Sequence, residues 1–75
     1  MKKIVDGKLY NTDTAELIYF DATNKRRYYR TQKGAFFVLY QTGEIQPRTE
    51  NSMRDFLGSV DTERYIEIFG EVEEA

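Results

Sequence analysis

Hydrophobic positions recur with period two up to Pro47 and with period 3.6 after it, so the chain reads as a run of strands followed by a run of helices. The most apolar stretch, Gly34-Ala35-Phe36-Phe37-Val38-Leu39-Tyr40, is rich in aromatic and β-branched residues and reads as the central strand. Alternation sends Phe36, Val38 and Tyr40 to one face and Phe37 and Leu39 to the other. Both faces are apolar, so this strand needs cover on two sides or a tightly curled sheet.

The other strands are placed around it by turn chemistry. Asp6-Gly7 between short extended segments predicts a two-residue type I′ hairpin, with strands near residues 2–5 and 8–11. Asn11-Thr12-Asp13-Thr14-Ala15 is a turn held by its own side chains, with the option of opening a short helical turn. Glu16-Leu17-Ile18-Tyr19-Phe20-Asp21 reads as a strand ending in the polar loop at residues 22–25, and residues 26–31 as the next. Lys33-Gly34 supplies the turn into the central strand. A two-residue loop there pairs Tyr29 with Val38 and Arg30 with Phe37; a three-residue loop shifts that register. Thr42-Gly43 turns the chain again into a short strand, Glu44-Ile45-Gln46, ended by Pro47, which cannot donate to a ladder.

Beyond Pro47, Met53, Phe56, Leu57 and Val60 stand at i, i+3, i+4 and i+7, with Thr49 or Asn51 as N-cap and Gly58 near the stop. Asp61 caps a second helix in which Tyr65, Ile68, Phe69 and Val72 repeat the spacing, with Gly70 as terminator. Both stripes read as core packing against the sheet. The expectation is therefore an α+β fold: a bent antiparallel β-sheet of five or six short strands followed by two C-terminal amphipathic helices. It forms one domain over residues 1–75, β-rich over 1–46 and helical over 49–72, with an acidic tail at 71–75. One sheet edge is expected to stay open, which allows self-pairing into a homodimer as one alternative.

Composition narrows the chemistry. With 75 residues the chain buries only about 60% of the surface its unfolded form exposes, which leaves little room for a deep cleft. It has neither His nor Cys, so the common general base, the thiol nucleophile and the usual transition-metal ligands are all missing. Paired carboxylates such as Asp61 and Glu63 read as solvated helix-start residues rather than acid–base or metal groups. A non-enzymatic protein without a cofactor or metal is expected. The opening Met1-Lys2-Lys3-Ile4-Val5-Asp6-Gly7 reaches Asp6 and Lys8 before any apolar run of signal-peptide length, and no stretch is long enough to span a bilayer. A soluble, cytoplasmic protein with no membrane partner follows as the expectation.

Charge is distributed unevenly. Residues 1–37 carry eight Lys or Arg against four Asp or Glu, and residues 38–75 carry three against nine. Lys25, Arg26, Arg27, Arg30 and Lys33 form a basic run with no acid between residues 22 and 43, interleaved with Tyr28 and Tyr29. Cations for phosphates and aromatic faces for bases are what single-strand binders combine, so Lys25, Arg26, Arg27, Tyr28, Arg30 and Lys33 are candidates for contact with RNA, DNA or an acidic protein. The alternative is a solvated strand edge protected from pairing. Glu63, Glu67, Glu71 and Glu74 would line one face of a continued second helix, an acidic ridge suited to a basic surface or to imitation of DNA phosphates. Acids near a helix C-terminus oppose its macrodipole, so the alternative is a helix that stops at Gly70 and a solvated tail.

Three blocks carry a resemblance. The opening Lys2-Lys3-Ile4-Val5-Asp6-Gly7-Lys8-Leu9-Tyr10-Asn11-Thr12-Asp13-Thr14-Ala15 resembles the start of a family of small proteins carried by phages, plasmids and conjugative elements of Gram-positive bacteria. Tyr29-Arg30-Thr31-Gln32-Lys33-Gly34-Ala35-Phe36-Phe37-Val38 is similar to that family's hairpin, and Tyr65-Ile66-Glu67-Ile68-Phe69-Gly70-Glu71-Val72 to its ending. The chain departs from the pattern after Tyr40, where relatives carry a longer glycine-rich loop, and at Phe56, where they carry Trp. The same opening module occurs in type II-A anti-CRISPR proteins. The resemblance thus implies inhibition of a host defence complex by binding a protein or ribonucleoprotein, the CRISPR effector nuclease or its guide-RNA complex, and no catalytic residue. A small nucleic-acid-binding accessory protein and a structural oligomerisation module are the alternatives.

Overall fold

A computed structural model describes residues 1–75. Six strands and two helices follow one another in the order β1 (Lys2–Val5), β2 (Lys8–Asn11), β3 (Glu16–Asp21), β4 (Arg26–Arg30), β5 (Phe36–Leu39), β6 (Ile45–Arg48), α1 (Glu50–Val60) and α2 (Thr62–Phe69). The fold is α+β, and all strand pairs are antiparallel. The strands do not form one bent sheet. β1 and β2 make a separate two-stranded hairpin, while β3-β4-β5-β6 form a four-stranded meander.

Cover on both faces of β5 is met by two different layers. Phe36 and Val38 pack with Ile18, Tyr28, Met53 and Leu57 beneath the helices, and Phe37 packs with Tyr10 and Ile45 beneath the hairpin. Phe37 is fully buried, stacked on Tyr29 with centroids 5.0 Å apart and edge-on to Tyr10 at 5.4 Å. These contacts are worth more than area alone because edge and face carry opposite partial charge. On the helix side Phe56 stacks on Tyr28 at 4.5 Å and meets Tyr19 edge-on at 5.4 Å.

Local chemistry sets each connection. Asp6 and Gly7 both have positive φ (52° and 76°), as a type I′ turn requires. The β4–β5 loop is the three-residue form: Thr31 N–H donates to the Ala35 carbonyl, Gly34 N–H donates to Thr31, and Gly34 holds φ 87°. Tyr28 therefore lies opposite Val38 and Tyr29 opposite Phe37. Pro47 lies inside β6 rather than ending it. Tyr40 N–H donates to the Glu44 carbonyl at 2.9 Å, so ladder alternation places the Phe37–Pro47 pair at a non-hydrogen-bonded position. The missing N–H then falls on the outer side of an edge strand.

Thr49 is the N-cap of α1, its hydroxyl accepting from Ser52 N–H at 3.1 Å. Gly58 does not stop that helix, which runs on to Val60; the glycine faces Tyr65 of the second helix. Asp61 ends α1 and caps α2 by accepting from Arg64 N–H. α2 stops at Phe69, with Gly70 at φ 99°, so Val72 is exposed and is not the last member of a helical stripe.

One irregularity ties the C-terminal helix to the sheet. The β3–β4 register slips between Leu17 and Tyr19, leaving Ile18 as the extra residue of a bulge. Arg64 reaches from α2 to this edge, donating from Nε to the Ile18 carbonyl at 2.8 Å and from Nη2 to the Leu17 carbonyl at 3.3 Å. The planar fork satisfies edge acceptors and partly covers an open strand.

Phe37→Ala is expected to cost about 3–5 kcal/mol in urea denaturation, whereas Ile4→Ala, on the outer hairpin face, should stay within about 0.5 kcal/mol. Arg64→Ala should cost about 1–2 kcal/mol by stranding the bulge carbonyls. Arg64→Lys should recover only part of that loss, because an ammonium cannot reproduce the fork.

Candidate macromolecular interface

The basic run does not form one surface. β4 is an inner strand between β3 and β5, so its cations protect no open edge. Alternation divides them: Arg26, Tyr28 and Arg30 face the helix side and Arg27 the hairpin side. Tyr28 is buried in the helix-side core, so its ring is closed to a stacking base. Arg26 lies over the Tyr40 ring at 4.9 Å and Arg27 over Phe20 at 5.1 Å. Arg30 donates to Glu16 at 2.8 Å. Lys25 and Lys33 sit in the turns at opposite ends of the strand, both exposed. Lys25 and Arg27 line a cleft of about 380 Å³ with Phe20 and Leu39.

The acidic set is likewise divided. Glu63 and Glu67 belong to α2, but Glu71 and Glu74 follow its end, so the four do not share one helical face. Residues 71–75 have no regular structure and are exposed. The physical reason is the one the macrodipole gives: carboxylates beyond Gly70 would lie against the negative end of a continued helix. Glu67 is paired with Arg64 at 2.8 Å, leaving Glu63, Glu71, Glu73 and Glu74 without an ion pair.

The two charged groups do not neutralise one another. Both arginines of the helical layer are engaged, Arg54 with Glu50 and the Tyr65 hydroxyl, and Arg64 with Glu67 and the bulge carbonyls. These contacts to Tyr65 and Glu50 raise the Arg54 pKa further above its ordinary value. No ion pair joins residues 25–33 to an acid after Thr49. Lys2, Lys3, Lys8 and Arg27 on the hairpin side form no ion pair, and neither do Glu63, Glu71, Glu73 and Glu74 of α2 and the tail; Arg26 and Arg48 on the helix-facing side of the sheet and Asp6 in the hairpin turn are unpaired exceptions to a full separation.

Sequence reasoning missed where the cations meet polar neighbours. The β2 strand, the residue 11–15 turn and the β4–β5 loop enclose a groove of about 690 Å³, lined by Lys8, Tyr10, Thr14, Thr31, Gln32 and Lys33. A second depression of about 350 Å³ shares Thr14, Thr31 and Gln32 with it and adds Glu16 and Arg30. The hairpin's placement over Phe37 brings Lys8 to Lys33, residues 25 apart in sequence. No periodicity signal reports such a meeting.

Nothing in the molecule assembles three or more carboxylates around a potential metal position. No helix is long and apolar enough to cross a membrane. Comparison with protein-family models, with curated proteins and with solved structures finds no match.

The loop that presents Lys25 is organised by Asp21, whose carboxylate accepts from Asn24 Nδ2 at 2.9 Å and from the Thr23 and Asn24 N–H groups at 3.1 and 3.2 Å. The Asn24 side chain, first among these donors, holds the Asp21 pKa below its ordinary 3.8. A lowered carboxylate pKa contributes stability that is present above the unfolded value and lost as pH falls through the folded one. NMR titration should therefore show the Thr23 and Asn24 amide shifts moving with a midpoint below 3.8, and Asn24→Ala should raise that midpoint.

Proposed function

We propose that this chain is a non-enzymatic inhibitor encoded by a mobile element, acting in the cytoplasm of a bacterial host by stoichiometric binding to a host defence complex, with a CRISPR effector nuclease or its guide-RNA complex as the target. The observation that carries this reading is the unpaired acidic end of the molecule: Glu63 of α2 and Glu71, Glu73 and Glu74 of the exposed tail form no ion pair, while Lys2, Lys3 and Lys8 of the hairpin and Lys33 of the β4–β5 loop are equally free. A domain that cancelled its own charges would offer an effector little beyond shape. Unpaired charge of one sign steers encounter with a surface of the other and selects among partners.

The resemblance described above supplies the biological setting. Its first two blocks, distant in sequence, lie against one another in the fold: Lys8, Tyr10 and Thr14 from the first and Thr31 and Lys33 from the second share a groove. Its third block covers most of α2 and runs on into the acidic tail. In this reading Glu71, Glu73 and Glu74 engage a channel that expects nucleic-acid phosphates, and the cationic side engages guide RNA or an acidic protein patch.

The test is retention of purified effector complexes on the immobilised protein, with and without guide RNA. One-to-one retention that inhibits target cleavage is expected. Glu71→Gln, Glu73→Gln and Glu74→Gln combined should weaken it by about tenfold or more while the fold, which these exposed side chains do not support, melts unchanged. Retention of none of the complexes would sink the reading.

A further inference from the structure

We infer that the groove between β2 and the β4–β5 loop is a binding site for the phosphodiester backbone of a nucleic acid. The inference goes beyond the inhibitor reading and does not depend on it. Four observations converge.

The first is charge. Lys8 and Lys33 face the groove from two different elements, both exposed, and neither forms an ion pair. Arg30 lines the adjoining depression. The one carboxylate there is Glu16, which accepts from Arg30 at 2.8 Å and lies 3.9 Å from Arg64 Nη2, so Arg30 and Glu16 answer one another and the free cations of the site are Lys8 and Lys33.

The second is hydrogen-bonding capacity. Around these cations stand the hydroxyls of Tyr10, Thr14 and Thr31 and the side-chain amide of Gln32. Thr31 Oγ1 accepts from Ala35 N–H, and Thr14 Oγ1 donates to the Asn11 carbonyl. The Tyr10 hydroxyl and the Gln32 amide make no hydrogen bond within the protein. Phosphate contacts in nucleic-acid complexes draw on this set of donors: lysine and arginine, hydroxyls and side-chain amides.

The third is size and rigidity. Volumes of about 690 and 350 Å³ in contiguous depressions match the range that accommodates ligand groups. The walls are held by the Tyr10–Phe37 contact beneath and by the Thr31–Ala35 closure of the loop. Cations on fixed turns lose less side-chain freedom on binding than cations on a mobile tail.

The fourth decides between backbone and base readout. No aromatic ring presents a face to the groove, since Tyr10 is 7% exposed with its ring packed on Phe37. Leu9 and Ala35 give it only a small apolar wall. Without a stacking platform the site reads phosphate spacing and not sequence. A structured loop would also contribute cations at one register only, so the footprint is short.

The experiment is fluorescence anisotropy of labelled oligo-dT and oligo-dA against the intact protein across a salt series. The expected result is binding with Kd of roughly 10⁻⁵ M at low salt, equal for the two sequences within about threefold, and a log–log salt slope of about −1.4, as two neutralised phosphates dictate. Lys8→Ala with Lys33→Ala should weaken binding by about tenfold or more and bring the slope to about zero, with the melting temperature unchanged. Lys25→Ala with Arg27→Ala, at the far end of β4, is the matched control and should change affinity by no more than about twofold. Three results would overturn the assignment: no binding at low salt, equal loss in the control pair, or displacement of the oligonucleotide by a poly-glutamate peptide at equal charge concentration, which would identify an acidic polypeptide as occupant. Failure here leaves effector retention through the acidic tail intact, and failure of effector retention leaves oligonucleotide binding intact.

Discussion

The constraint on which the structure depends is that β5 has no polar side. Phe36 and Val38 on one face and Phe37 on the other are each no more than 4% exposed, and a strand of this kind is stable only between two layers. A chain of 75 residues has little material for two layers. It meets the demand with two short amphipathic helices on one side and a four-plus-four-residue hairpin on the other. The aromatic content follows from this economy: Tyr10, Tyr28, Tyr29, Phe37 and Phe56 each cover a large area with few torsions to fix.

Layering also determines what the surface can present. The hairpin lysines and Arg27 lie on one side of the sheet and the carboxylates of α2 and the segment after it on the other, while Arg26 and Arg30 of the same strand face the helices. Helix physics sharpens the separation. Asp61 and Glu63 sit favourably at the start of α2, Glu67 is taken up by Arg64, and the acids beyond Gly70 fall outside the helix. Arg64 has a further part in this arrangement. By filling the acceptors left open at the β3 bulge it fixes the helical layer, and the acids it carries, against an edge strand.

The structure also changes the meaning of the basic run. Residues 25–33 look in sequence like a cationic ribbon studded with tyrosine, yet a strand alternates its side chains and an inner strand buries them. Tyr28 became core, Arg26 and Arg27 went to opposite faces, and Arg30 found Glu16. What remains available is Lys25 and Lys33 on their turns, and the partner in charge of Lys33 is Lys8, which belongs to a different sheet.

From residue order alone, the element boundaries were legible almost throughout, because short-range chemistry decides them: Asp6-Gly7 for the first hairpin, the 3.6-residue stripe of Met53, Phe56 and Leu57 for α1, Asp61 and Gly70 for the limits of α2. The need for cover on both faces of β5 was legible too, since alternation is a local property. Pro47 misled because its effect depends on which side of the strand carries the missing N–H, and that is set by register and edge position. The β4–β5 register, the bulge at Ile18, the division into two sheets and the meeting of Lys8 with Lys33 were decided only by tertiary structure. Each depends on which of several sterically equal pairings buries the most apolar surface, and that quantity belongs to the packed layers together, not to any stretch of the chain.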